Sequence, residues 1–129
     1  PRVLEGVPET LQYLHARHRM ILFTRGEPAE QAGKVERSGL QGFFEAIEII
    51  AEKSVEAYDE LVRKHHVVKS HGWLVGNSPH GDILPALQAG LNAALVPHPG
   101  TGEQELMELQ HGTGKLLIVS SFRELRNHF

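Results

Sequence analysis

The sequence predicts an α/β domain in which a parallel sheet is covered by helices. Three observations carry that prediction. Short apolar runs alternate with amphipathic segments along the chain, and glycine, proline and polar turns punctuate the alternation. The 129 residues, 40% hydrophobic and 22% charged, suffice for one ordinary core without disulfides or a structural metal. With no internal repeat, low-complexity tract or linker, residues 1–129 read as a single domain.

The elements follow in order. From about Pro8 to His18, Val7, Leu11 and Leu14 share one helical face, and Pro8 lies where a first helical turn tolerates it. Met20 to Thr24 is the first strand. Gly26 and Glu27 open a helix from about Pro28 to Arg37 with a small inner face, Ala29, Ala32 and Val35, and Ser38 and Gly39 close it. Ala46 to Ile50 is the second strand. Val55 to His65 is a helix with Ser54 as its N-cap and Val55, Tyr58, Leu61 and Val62 inward. Trp73 to Gly76 is the third strand. The turn Asn77 to Gly81 leads to a helix that ends at Gly90 with Ile83, Leu84 and Leu87 inward, and Pro85 requires that helix to begin near Asp82. Ala93 to Val96 is a fourth strand, Pro97 to Gly102 a loop, Glu103 to Leu109 a short helix, Leu116 to Ser120 a fifth strand and Ser121 to Asn127 a terminal helix.

Composition excludes several function classes. Sixteen acidic against thirteen basic residues, mixed along the chain with a formal net charge of −3, form no cationic stripe for nucleic acid. The absence of cysteine removes thiol catalysis and thiolate metal sites, and fits a reducing cytoplasm. No apolar run approaches the roughly 20 residues that span a bilayer, and no charged N-terminal segment precedes an apolar stretch, so a soluble, cytoplasmic protein without a membrane partner is expected. The nine histidines bring the net charge toward zero just below neutral pH. Only two aspartates occur, Asp59 and Asp82.

Ligands of open parallel sheets bind beyond the carboxyl ends of the strands, so the residues there are the candidates for function. The first strand ends in Phe23, Thr24, Arg25 and Gly26: a hydroxyl, then backbone amides leading into a helix, which suits a phosphate. Thr24 reads equally as a local hydrogen-bonding residue. After the second strand comes Ala51, Glu52, Lys53 and Ser54, where Lys53 either neutralises a phosphoryl oxygen or is simply solvated. After the third, Asn77 and Asp82 put an amide and a carboxylate on one turn. Such oxygen ligands suit Mg2+, and the other reading makes Asn77 a turn former and Asp82 a helix cap.

Together these strand ends resemble the haloacid dehalogenase (HAD) superfamily, whose members are mostly Mg2+-dependent phosphohydrolases on a Rossmann-like sheet with helices on both faces. Thr24 in ILFTRG matches the second motif of that family and Lys53 in AEKS the third. The run VGNSPHGDILPALQAGLNAALVPHP is similar to the fourth motif with its following helix and strand, and the resemblance extends from about Val7 to Val96. It implies that Thr24 and Lys53 are catalytic, that Thr24, the amide of Arg25 and Lys53 bind the phosphoryl group of a small phosphorylated substrate, and that Asp82 and Asn77 serve Mg2+.

Two departures from the family pattern shape the expectation. Asn77 stands where the fourth motif usually has aspartate. The first motif, an Asp-x-Asp whose first carboxylate attacks phosphorus and whose second protonates the leaving group, is absent from the sequence. The chain therefore resembles the core portion of the family without its first strand and cap. In the family that strand lies between the strands assigned to residues 20–24 and 73–76, so its absence leaves two apolar edges unpaired or forces them together, and an unpaired edge favours self-association.

The expected function is a HAD-type phosphohydrolase that, in its intact form, cleaves a small phosphate monoester through an aspartyl-phosphate, this chain alone being inactive. The alternative is a non-catalytic fragment or a pseudoenzyme binding module. Carbon–halogen hydrolysis is a third reading, against which the acidic fourth motif argues. Other features carry less. The spacing of His65, His66, His71 and His80 fixes no tetrahedral zinc site. Ser78 is followed by Pro79 and His80 and lacks the G-x-S-x-G pattern, and the loop Pro99 to Gly102 lacks the lysine of a nucleotide-binding loop.

Overall fold

The computed structural model describes residues 6–102, 109 and 114–129. Chain contacts divide these into two units, one within Pro1–Glu52 and Phe122–Phe129, the other within Lys53–Ser121. Among the described residues all strand pairing is parallel, as the alternating pattern predicts, and it is distributed over a two-stranded and a three-stranded sheet.

In the first unit, α1 (Val7–His15) leads to β1 (Ile21–Arg25), α2 (Pro28–Ser38), a 3₁₀ turn (Gln41–Phe43) and β2 (Ala46–Ile50). Strand β1 pairs with β2 from Ile21 opposite Ala46 to Arg25 opposite Ile50. Helix α1 buries Thr10, Leu11 and Leu14 and packs against a 3₁₀ segment, Phe122–Asn127, whose Leu125 is also buried. It ends at His15 rather than His18 because the amides of Arg17 and His18 both turn back to the Leu14 carbonyl. The terminal segment, read as a helix from Ser121, takes the 3₁₀ form over six residues, a length at which an α-helix gains little from propagation.

Helix α2 starts and stops where the sequence indicates. The Glu27 carboxylate accepts the Glu30 amide at 2.7 Å, and Gly39 adopts the left-handed conformation, φ 72°, that closes the helix. Its expected inner face is corrected: Ala29 and Ala32 are exposed, Val35 is half-buried, and no residue of α2 is fully buried. Two strands about 5 Å apart give a crossover helix too narrow a floor.

The second unit holds α3 (Val55–His65), a 3₁₀ turn (Lys69–His71), β3 (Trp73–Gly76), α4 (Leu84–Gln88), β4 (Asn92–Leu95) and β5 (Leu116–Ile118). The strand order is β3-β4-β5, with Val75 opposite Ala94 and Ala94 opposite Leu117. Central strand β4 is buried along its whole length, as a strand with neighbours on both sides should be. Ile83, Leu87, Ala93, Leu95 and Leu109 form the core, with Leu74, Leu84 and Leu116 against it. Asn92 is buried without penalty because its amide group donates to the Ser70 carbonyl and its oxygen accepts the Lys115 amide, each at 2.9 Å.

The segment before α4 departs from expectation. Instead of a helix opening near Asp82, a wide π-type turn spans Pro79–Ile83, in which the Ser78 carbonyl accepts the amides of both Asp82 and Ile83, and α4 proper starts at Leu84. Pro85, having no amide to donate, falls where the wide turn gives way to the helix. Strand β5 stops at Ile118 rather than Ser120, although the Val119 amide still donates to the Leu95 carbonyl at 3.0 Å. Of the helix expected from Glu103 to Leu109, all but Leu109 lies outside the described residues. No helix among the described residues is long and apolar enough to cross a membrane.

Candidate functional site

In the Lys53–Ser121 unit, two of the sequence-selected residues meet directly. The Lys53 ammonium donates to Asp82 Oδ1 at 2.7 Å, and the two side chains are only 17% and 14% exposed. Their sequence separation is 29 residues, and the fold closes it from both sides. Ser54 caps α3 by accepting the Ala57 amide at 3.2 Å, which fixes the chain immediately after Lys53. At the other end, the wide turn after β3 presents Asp82: the Ser78 amide donates to Asp82 Oδ2 at 3.3 Å, while Ser78 Oγ accepts the Gly81 amide at 3.0 Å.

Two further residues shape this pair. A Cβ on Gly76, the last residue of β3, would stand 2.7 Å from Asp82 Cβ and 2.8 Å from its Oδ2, so the carboxylate folds over a strand end that has room only for glycine. The hydroxyl of Tyr58, a fully buried residue of α3, donates to the Asp82 main-chain carbonyl at 3.3 Å. Burial, and secondarily the Asp82 charge, push that hydroxyl well above the usual tyrosine range, so it remains a donor at any physiological pH. The sequence marks Tyr58 only as an inward residue. The signal that it does more is a hydroxyl at a core position, where phenylalanine would fill the space.

Asn77 is exposed on the same loop, directly after β3. Thr24 and Arg25 belong to the other unit, at the carboxyl end of β1, where Thr24 is half-buried and Arg25 exposed. The Gly26 amide is used by the sheet, donating to the Ile50 carbonyl at 2.9 Å. Amides alternate in direction along a strand, so that of Arg25 points away from β2. Gly26 itself has φ 151°, and a Cβ there would meet Gln31 Cγ at 2.5 Å. The histidines gather no site: among the described residues, no three His, Cys, Asp or Glu side chains are placed to hold a metal ion.

A family model described as HAD-hydrolase-like matches residues 52–125, more than half of the chain and the stretch that contains Lys53, Asn77 and Asp82. The chain belongs to this HAD-like hydrolase family. The HAD-like chain is similar to enolase-phosphatase E1 of Chaetomium globosum, with 24% identity over 110 residues that cover 85% of this chain and 42% of that protein. Its fold matches that of a haloacid dehalogenase-like hydrolase from Xanthomonas campestris, with a TM-score of 0.82 and 24% identity over 98% of this chain and 53% of the other. A protein described as a HAD-hydrolase from Bacillus subtilis, solved bound to magnesium, matches with a TM-score of 0.79 and 17% identity over 98% and 55% of the two chains. The HAD-like chain thus spans about half the length of the proteins it matches.

Whether these residues suit a divalent cation can be judged from their donors. The loop from Gly76 to Asp82 offers one carboxylate and one amide carbonyl, both hard oxygens of the kind Mg2+ takes. Asp82 Oδ1 is already met by Lys53, leaving Oδ2, beside the Ser78 amide, and Asn77. That is one side of a coordination shell rather than a complete one.

Proposed function

We propose that this chain is the core portion of a HAD-type phosphohydrolase that, in its intact form, cleaves a small phosphate monoester through an aspartyl-phosphate. The observation that supports this reading most is the Lys53–Asp82 pair: an ammonium ion kept largely from water, aimed by a carboxylate, after the strand that precedes it in the family. Such a cation is ready to offset charge on a phosphoryl oxygen, and in a site poor in water that attraction is stronger than at a surface.

Each of this chain's residues has a part in the reading. Lys53 meets the phosphoryl group and balances the charge that builds as the ester bond to phosphorus breaks. Asp82 holds Lys53 in place. The Thr24 hydroxyl and the Arg25 amide donate to phosphoryl oxygens and orient the group. Asp82 Oδ2 and Asn77 face Mg2+, which when bound would polarise a phosphoryl oxygen. The loss of one negative charge at Asn77 weakens that binding relative to an aspartate. The nucleophile and the acid that protonates the departing alcohol belong to the Asp-x-Asp motif, which these 129 residues do not contain. A cytoplasmic setting is part of the same proposal.

That absence specifically favours a second reading, a non-catalytic α/β binding module. Hydrolysis of a generic phosphate ester with added Mg2+ separates the two. The first reading expects no turnover by the 129 residues and metal-dependent turnover by a longer form bearing an upstream Asp-x-Asp, lost in K53A or D82A. A longer form with that motif but no turnover would leave the binding module. Self-association belongs to the proposal as well: among the described strands, β1 pairs only with β2 and β3 only with β4, and β3 carries no charge or proline to blunt its edge. Light scattering over a range of concentrations tests it, and a monomer throughout would end it.

A further inference from the structure

We propose that Tyr58 is a positioning residue for Lys53, acting through its hydroxyl bond to the main chain of Asp82. This rests on the reading of Lys53 as the phosphoryl-binding cation, and it adds a residue that neither the motifs nor the spacing selected.

Tyr58 touches both ends of the pair's support. Its amide donates to the Ser54 carbonyl at 3.1 Å, which places it on the first turn of α3, the helix whose cap directly follows Lys53. Its hydroxyl reaches the Asp82 carbonyl at 3.3 Å, within the wide turn. One rigid, fully buried ring therefore ties the segment that carries the ammonium to the turn that carries the carboxylate. Packing alone does not call for the oxygen. A buried hydroxyl is costly unless it is bonded, and here the bond ends on Asp82, whose side chain receives Lys53. The wide turn suits such a brace: a π-type turn is a rare conformation, and the Asp82 side chain it carries packs so closely over Gly76 that a shift of the turn would move the carboxylate. Tyr58 touches no reacting group in this scheme. It sets where Asp82 stands, and Asp82 sets where Lys53 points.

The test reads Lys53 directly in the full 129-residue chain, without requiring turnover. Brief acetylation with acetic anhydride, followed by mass spectrometry of each lysine, compares Lys53 with Lys34 and Lys69, whose side chains are 43% and 44% exposed. In the wild type Lys53 should react most slowly of the three. Y58F should raise its rate about fivefold, the ratio expected from losing one neutral hydrogen bond, with Lys34 and Lys69 unchanged. D82N, which removes the partner charge itself, sets the upper limit. An unchanged Lys53 in Y58F would overturn the proposal. So would a rise shared by Lys34 and Lys69, since the hydroxyl would then hold the fold rather than the pair.

Repeating the labelling with inorganic phosphate separates the two layers of inference. Protection of wild-type Lys53 that weakens in Y58F supports both. Protection that is equal in wild type and Y58F overturns the role of Tyr58 and leaves the phosphoryl reading standing. A lack of protection in the wild type removes the phosphoryl reading, and the role of Tyr58 is then decided by the labelling ratio alone.

Discussion

The β1–β2 pair and the β3–β4–β5 sheet are both parallel, with α2 between β1 and β2 and α4 between β3 and β4, but only the second encloses a strand: every residue of β4 is buried, and none of β1 or β2 is. A parallel strand is buried when it has neighbours on both sides and a covering layer, and two strands alone cannot provide that. The candidate residues inherit the difference. Lys53 and Asp82 stand on segments anchored to the dry core and meet in one well-defined contact. Thr24 and Arg25 stand at the end of a half-buried strand, and they also lie outside the stretch that the HAD-like family model matches.

The most direct way to break this comparison is to hollow each sheet. Leu95→Ala in β4 should cost about 2–5 kcal/mol, the range for emptying a fully packed aliphatic site. Ile47→Ala in β2, at a residue 38% exposed, should cost no more than about 1 kcal/mol. Urea unfolding of the two variants measures both. Equal losses would mean that the first unit owes its stability to burial the isolated strands do not display.

A smaller effect is expected from two glycines. Gly76→Ala forces a methyl against the Asp82 side chain at less than van der Waals distance and should destabilise by about 1–3 kcal/mol. Gly42→Ala in the first unit meets nothing within 4 Å and should stay within about 0.5 kcal/mol of wild type. If Gly76→Ala is instead neutral, the Asp82 carboxylate is not confined over the strand end.

These contrasts also explain what could be read from the chain in advance. Ala46–Ile50, Val55–His65 and Trp73–Gly76 have the boundaries that the sequence indicates, because each is bounded by local chemistry: a serine cap, a glycine, a short apolar run. The inner face of α2 was not legible, since periodicity says which residues share a face but not whether anything covers it. The turn at Pro79–Ile83 was missed for a related reason. Pro85 restricts where a helix can begin, but two amides converging on the Ser78 carbonyl and a lysine 29 residues away on Asp82 are tertiary facts. Strand-end position was enough to select Lys53 and Asp82 as candidates, and nothing in their spacing required them to touch. Tyr58 was visible only as an inward residue because the acceptor of its hydroxyl is a backbone carbonyl, which no side-chain pattern records.

Alkaline pH sharpens the comparison at that residue. The Tyr58 hydroxyl is held above its ordinary value of 10.0. As pH rises past 10, tyrosine in the unfolded chain loses its proton while the native chain keeps it, so the unfolded state binds fewer protons and stability falls. Below pH 10 the contribution is fully present. One such group gives a slope of about 1.4 kcal/mol per pH unit. Unfolding midpoints between about pH 9 and 11.5 should therefore decline more steeply for wild type than for Y58F. Parallel declines would show that the hydroxyl is not shielded in the native state.

The smallest effect discriminates between the two units most finely, because it holds bond length constant. Arg19 Nε meets Glu45 Oε1 at 2.7 Å in the first unit, the same separation as Lys53 and Asp82 in the second. The Arg19–Glu45 side chains are 56% and 45% exposed against 17% and 14%, so any difference in behaviour comes from the surroundings. Water and salt screen the exposed pair, whose coupling in a double-mutant cycle with R19M and E45Q should be about 0.2–1 kcal/mol at low salt. It should fade toward zero at about 1 M salt, where the screening length is roughly 3 Å. A cycle with K53M and D82N should give a larger coupling that changes less over the same range, because a largely buried pair is screened less than an exposed one. If the Lys53–Asp82 coupling fades with salt as the Arg19–Glu45 coupling does, the two pairs are equivalent surface contacts. The distinction between a preset cation in one unit and an open strand end in the other would then fall with it.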